Sequence, residues 1–118
     1  CKGAAKLMLV TDAMPPVGTG DREFSLQGKK INVVEGICSY SDGTLAGAVL
    51  DMNTAVRYVR EHIPCSIEDA IRMATSSPAA FLDLNEHKGR IAPGMDADFC
   101  IIDSDLRVVN TVIGGDLR

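Results

Sequence analysis

The sequence predicts an α/β fold built in two styles, joined near Lys88: a strand, a long loop and helices from an α/β layer, then antiparallel strands of a separate sheet. Three observations carry this reading. The apolar run Leu7, Met8, Leu9 and Val10 is closed by Thr11 and Asp12 and broken by Pro15, Pro16 and Gly18. The hydrophobic period changes to helical spacing after Leu50. It returns to short glycine-bounded apolar runs after Gly89.

Taken in order, residues 7–10 read as a strand buried on both faces, as in a parallel sheet, although so short a run does not by itself distinguish a strand from a buried helical turn. An excursion follows, in which β-prone pieces at residues 23–26, 30–34 and 37–40 alternate with turn signals at Gly28, Glu35-Gly36 and Ser41-Asp42-Gly43. This predicts a small antiparallel ribbon inside a long loop. Met52, Ala55, Val56, Val59 and Ile63 then recur at helical spacing, with Arg57, Arg60 and Glu61 on the opposite, solvated side and Pro64 ending the helix. Ser66 followed by Asp69 is a capping pattern, and Ile67, Ala70, Ile71 and Ala74 give the stripe of a second helix reaching about Thr75. Ser77-Pro78 starts a short third helix, since proline is tolerated in a first turn. After turns at Gly89-Arg90-Ile91 and Pro93-Gly94 come strand-like residues 98–102 and 107–113, ending at Gly114-Gly115.

The 118 residues suffice for a core without metal or disulfide staples. They are too few for a complete eight-stranded α/β barrel, which takes about 250. Twelve Lys and Arg against sixteen Asp and Glu give a net charge of −4, with no basic cluster and no Trp, so nucleic acid is not the expected partner. The longest apolar runs fall far short of the roughly 20 residues of a membrane helix, and no membrane partner is expected. Cys1, Cys38, Cys65 and Cys100 form no C-x-x-C pair, which reads as reduced thiols in a cytoplasmic protein, with a disulfide or thiolate zinc site as the alternative. Starting at Cys1 and running at once into an apolar strand, the chain reads as part of something longer.

Two features could carry chemistry. Asp12 closes the first strand, and in parallel α/β architectures the carboxyl ends of strands face the active site, where an acid serves as base or metal ligand. The other reading is that Asp12 caps a turn through its short side chain. The second feature is the small-residue stretch Asp42-Gly43-Thr44-Leu45-Ala46-Gly47-Ala48, which lets a ligand approach the backbone but lacks phosphate-loop spacing. A turn with close packing explains it equally. His62, near a helix end, and His87, in the polar loop at residues 85–89, lack the local spacing of zinc ligands and should be exposed. No G-x-S-x-G elbow occurs, and the dispersed methionines fit core filling.

The segments Leu9-Val10-Thr11-Asp12-Ala13-Met14, Asp42-Gly43-Thr44-Leu45-Ala46-Gly47, Met52, Ala55-Val56-Arg57, Met73-Ala74-Thr75 with Pro78-Ala79, and Gly89-Arg90-Ile91-Ala92-Pro93-Gly94 with Ala97-Asp98 resemble one family. It is the C-terminal third of the N-acetylglucosamine-6-phosphate deacetylase family of amidohydrolases. The resemblance implies a metal-dependent hydrolase with a (β/α)8 barrel and a small β-sandwich. Residues 1–88 would be the C-terminal part of the barrel: its eighth strand at residues 7–12, a loop over the site at 13–48, then helices. Residues 89–118 would be C-terminal strands of the sandwich.

By the same resemblance Asp12 matches the catalytic aspartate. Leu45, Ala46 and Gly47 match a segment that contacts the amino-sugar phosphate through its backbone, and Ala48 stands where many relatives carry Ser. A divalent metal ion, zinc or similar, would be held by ligands on earlier strands outside this chain, with Asp12 the one candidate contribution here. The implied partner is an amino-sugar phosphate, and the implied assembly a homodimer of the full-length enzyme. The stretch alone is expected to be inactive. Another amidohydrolase acting on a cyclic amide or an aminated base, and a non-catalytic piece that associates through exposed strand edges, are the competing readings.

Overall fold

In the computed structural model, which describes Gly3 and residues 6–118, the excursion after Asp21 folds into a four-stranded antiparallel meander. Its strands are β1 (Glu23–Leu26), β2 (Lys29–Val34), β3 (Ile37–Tyr40) and β4 (Leu45–Ala48), in the order β1-β2-β3-β4. The first two connections are two-residue turns, Gln27-Gly28 and Glu35-Gly36, and both residues of each are left-handed, with φ of 51° and 77° and of 50° and 80°. That is type I′ geometry, whose twist matches the strands it joins. Ile31 lies opposite Phe24 and Tyr40, and Cys38 opposite Val33 and Gly47, which puts these side chains on one face. Ile31 and Cys38 on that face are fully buried. The ribbon at residues 23–40 is as the sequence predicts; β4 is an addition.

The chain divides into two compact units, Val10–Ala55 and Val56–Arg118, the latter joined by the described residues up to Leu9. Helix α1 (Met52–His62) starts where Asp51 accepts the Thr54 amide at 2.8 Å and the Thr54 hydroxyl at 2.7 Å. Helices α2 (Ile67–Ala74) and α3 (Ser76–Phe81) follow. Ser66 caps α2 as expected, its hydroxyl oxygen accepting the Asp69 amide at 3.1 Å. Val56 and Val59 of α1 and Ala70 and Met73 of α2 form the buried cluster, with Leu9, Cys65, Ile67 and Ala74 against it. Met73 takes the core place that the periodicity assigned to Ile71, which lies at the exposed margin. Arg57 is half-buried rather than fully solvated, while Arg60 and Glu61 are exposed.

A separate three-stranded antiparallel sheet closes the chain: β5 (Phe99–Ile102), β6 (Val108–Ile113) and β7 (Asp116–Leu117). Lys88 ties the loop before it to the sheet, bonding Asp96 at 2.8 Å and also Asp98, whose other oxygen accepts the Gly114 amide at 2.7 Å.

The first expected strand is corrected. Residues 7–12 are not a strand, and Leu7, Met8 and Val10 are exposed rather than buried on both faces. A strand exists only as part of a ladder, and among the described residues none pairs with residues 7–12 in one; the nearest bridge is the isolated parallel one of Ala13 with Ala48. The Leu9 amide instead donates to the Met73 carbonyl at 2.9 Å, one of the carbonyls left free in the last turn of α2.

Candidate active site

Both sequence-predicted features fall in the unit Val10–Ala55, and the structure brings them together. The Asp12 carbonyl accepts the Ala48 amide at 2.9 Å, and the Met14 amide donates to the Ala48 carbonyl at 2.9 Å. Asp12 itself is left-handed, with φ of 50°, and exposed. For a non-glycine residue this conformation costs on the order of 1 kcal/mol, and it persists only where surrounding bonds impose it.

The small-residue stretch is the strand β4 and its lead-in. Asp42 accepts the Thr44 amide at 2.9 Å, which holds its carboxyl below the usual carboxylate range. The ladder to β3 then slips: Ser39 faces Leu45 but Cys38 faces Gly47, so Ala46 is the extra residue of a β-bulge. A bulge leaves its extra residue outside the ladder and turns neighbouring groups toward new directions. Leu45 is exposed, Ala46 half-buried and Gly47 buried. A side chain at Gly47 has no room, because a Cβ there would lie 2.6 Å from Met14 Cγ and 2.8 Å from the Asp12 carbonyl oxygen. The Cys38 thiol opposite is pushed up, first by burial and then by the negative charge of Asp12.

His62 and His87 are exposed, as expected; His62 stacks on Tyr58 with ring centroids 4.0 Å apart. No group of three or more His, Cys, Asp or Glu able to hold a metal ion occurs among the described residues, so Asp12 has no companion ligands here. The donor set of the described residues does not by itself fit a metal centre. Cys38, Cys65 and Cys100 are free thiols, buried, half-buried and exposed respectively; Cys1 lies outside the described residues. Among the described residues no helix is long and apolar enough to cross a membrane.

The sequence pattern of the amidohydrolase family matches residues 5–118. The chain belongs to the amidohydrolase family. This amidohydrolase-family chain is similar to the N-acetylglucosamine-6-phosphate deacetylase of Bacillus subtilis (strain 168), with 36% identity over 116 residues, 98% of this chain and 29% of that one. It is also similar to the N-acetylgalactosamine-6-phosphate deacetylase of Shewanella sp. (strain ANA-3), with 43% identity over 117 residues, again 98% of this chain and 29% of the other. The crystal structure of N-acetylglucosamine-6-phosphate deacetylase from Pasteurella multocida superposes with a TM-score of 0.92 at 29% identity, covering 97% of this chain and 30% of that chain. The amidohydrolase-family chain thus spans just under a third of the length of these relatives. The resemblance read from the Thr-Asp-Ala and Leu-Ala-Gly segments is borne out at the level of the family and its deacetylase members.

What sequence reasoning missed is the pairing itself. Met14 and Ala48 join the two features through their backbone bonds, and the one trace of it in the sequence is the run of small residues around Gly47, which the structure shows buried.

Proposed function

We propose that the complete protein hydrolyses the acetamide of N-acetylglucosamine 6-phosphate to glucosamine 6-phosphate and acetate, and that this chain supplies the acid/base group and part of the sugar pocket. The observation that carries the reading is the 2.9 Å bond between the Asp12 carbonyl and the Ala48 amide, which puts an exposed carboxylate beside the small-residue segment. The substrate class comes from the names of the relatives.

The chemistry asks for such a carboxylate. Asp12 takes a proton from the attacking water as the water oxygen bonds to the acetamide carbon, then delivers a proton to the nitrogen as the carbon–nitrogen bond breaks. Without that proton the leaving group would be an amide anion. Leu45, Ala46 and Gly47 offer backbone to the sugar phosphate, and Ala48 brings no hydroxyl to it. A divalent metal, zinc or similar, belongs to this proposal with its ligands outside the chain. So do the assignment of residues 1–88 to a barrel and 89–118 to a sandwich, a homodimeric assembly and a cytoplasmic location.

Replacing Asp12 by Asn in the complete protein tests the role. Turnover should fall about 100- to 10,000-fold, the usual worth of a general acid/base. Near-normal turnover would remove Asp12 from the chemistry.

A second reading has its own support, the 43% identity to an N-acetylgalactosamine-6-phosphate deacetylase. The two sugars share the acetamide and the 6-phosphate and differ at C4. Parallel kcat/KM measurements on both epimers decide between them.

A further inference from the structure

We propose that Gly47 is a positioning residue for Asp12, its missing side chain being the seat on which the Asp12 loop closes. The inference rests on the reading of Asp12 as the acid/base group.

A glycine in a segment that meets substrate is ordinarily explained by ligand approach. Here the geometry points elsewhere. Gly47 is buried, and the space where its Cβ would stand is filled from within the chain by Met14 Cγ at 2.6 Å, the Asp12 carbonyl oxygen at 2.8 Å and Met14 Sδ at 3.0 Å. Leu45 and Ala46 are the more open residues of the segment. The Met14 side chain could rotate away from a methyl group at position 47, but the Asp12 carbonyl is backbone and its displacement moves the whole residue.

That displacement matters because little else fixes Asp12. Residues 7–12 form no strand, so the left-handed conformation at φ 50° is imposed by the Ala48 amide on the Asp12 carbonyl and the Met14 amide on the Ala48 carbonyl. Both bonds sit immediately beyond Gly47 on β4. A side chain at position 47 would wedge the loop off β4 and stretch both, and the carboxylate would swing with its backbone. A shift of about 1 Å at a catalytic group costs roughly 100-fold in rate.

The experiment uses the complete protein as Gly47→Ala, Met14→Ala and the double variant. It measures kcat and KM on N-acetylglucosamine 6-phosphate, and hydrogen exchange at the Met14 and Ala48 amides. In Gly47→Ala, kcat should drop about 100-fold with KM nearly unchanged, and both amides should exchange faster while those of β1 and β2 keep their rates. The double variant should stay close to Gly47→Ala, because removing the Met14 side chain leaves the Asp12 carbonyl oxygen 2.8 Å from the new Cβ and the backbone of residue 47 at a φ of 153°. Should Gly47→Ala fail to fold, the double variant is compared with Met14→Ala, and the same amides must still exchange faster. A raised KM with kcat preserved would leave Gly47 with a substrate-binding role alone and overturn the proposal, as would unchanged exchange at both amides. If the unsubstituted protein shows no deacetylase activity, the functional reading fails, and the exchange data alone still decide whether Gly47 seats the loop.

Discussion

Cys38 faces Gly47 directly across the β3–β4 ladder, and the charge of Asp12 reaches its thiol. Burial first, and Asp12 second, raise the thiol above its ordinary value, so near neutral pH it is protonated and shielded. Because the raised value belongs to the folded state, the stability it carries is present below the thiol's unfolded value and is lost as the pH rises through the folded one. Iodoacetamide near neutral pH should leave Cys38 unmodified in the folded complete protein and modify it after denaturation, read by peptide mass spectrometry. Asp12→Asn should give the same protection, since burial, the larger cause, remains. Labelling of folded Cys38 at the denatured rate would contradict the packing of this face.

The start of α2 depends on one hydroxyl. Ser66 accepts the Asp69 amide at 3.1 Å, and Glu68 in the same first turn is held below its usual value, first by its own backbone amide and then by Ser66. Ser66→Ala should destabilise this region by about 1 kcal/mol, with Ser66→Asp retaining most of the capping. Urea denaturation of the three forms makes the comparison. Equal midpoints for the unsubstituted protein and Ser66→Ala would show that the cap carries no weight.

Met73 is 5% exposed and sits at the centre of the α1–α2 cluster, and its carbonyl receives the Leu9 amide. Met73→Ala should cost about 2–5 kcal/mol, the range for emptying a packed site, whereas Met73→Leu should cost less than about 1.5 kcal/mol. The same denaturation measurement separates them, and a loss for Leu as large as for Ala would mean that the thioether itself is needed there.

Where local chemistry decides the structure, the sequence was readable. Glu35-Gly36 and the residues around Gly28 specify left-handed two-residue turns, so β1, β2 and β3 fall where their apolar pieces lie. Ser66 and Pro64 bound α2 and α1 in the same way. Where partners far along the chain decide, it was not. Leu45-Ala46-Gly47-Ala48 has little strand propensity of its own and becomes β4 because β3 and the Asp12 loop flank it. The run at residues 7–10 has the composition of a strand, but a strand exists only as part of a ladder. Met73 displaced Ile71 from the core because the α1 face it meets is set by tertiary packing. For the site, Asp12 and the small-residue stretch that holds Gly47 were each visible, while the contact between Asp12 and Gly47 was not.

The Lys88 tie gives a pH dependence whose sign follows from its partners. Asp98 is held below its usual value, first by Lys88 and then by the Gly114 amide, and the Lys88 amine is held above its own by Asp96 and then Asp98. A depressed carboxylate contributes stability above its unfolded value, about 3.9, and loses it as the pH falls through the folded one. A raised amine contributes below its unfolded value, about 10.4, and loses it as the pH rises through the folded one. The tie is therefore complete from roughly pH 4 to pH 10. All three side chains are well exposed, so the effect is modest and weakens with salt. Asp98→Asn, whose amide oxygen still accepts from Gly114, and Lys88→Met should each lower Tm near neutral pH. The double variant should lose less than the sum, because both changes remove one interaction. Below the folded value of Asp98 the Asn variant and the unsubstituted protein should converge in Tm. A Tm difference that persists unchanged into strong acid would show that Asp98 acts through packing rather than charge.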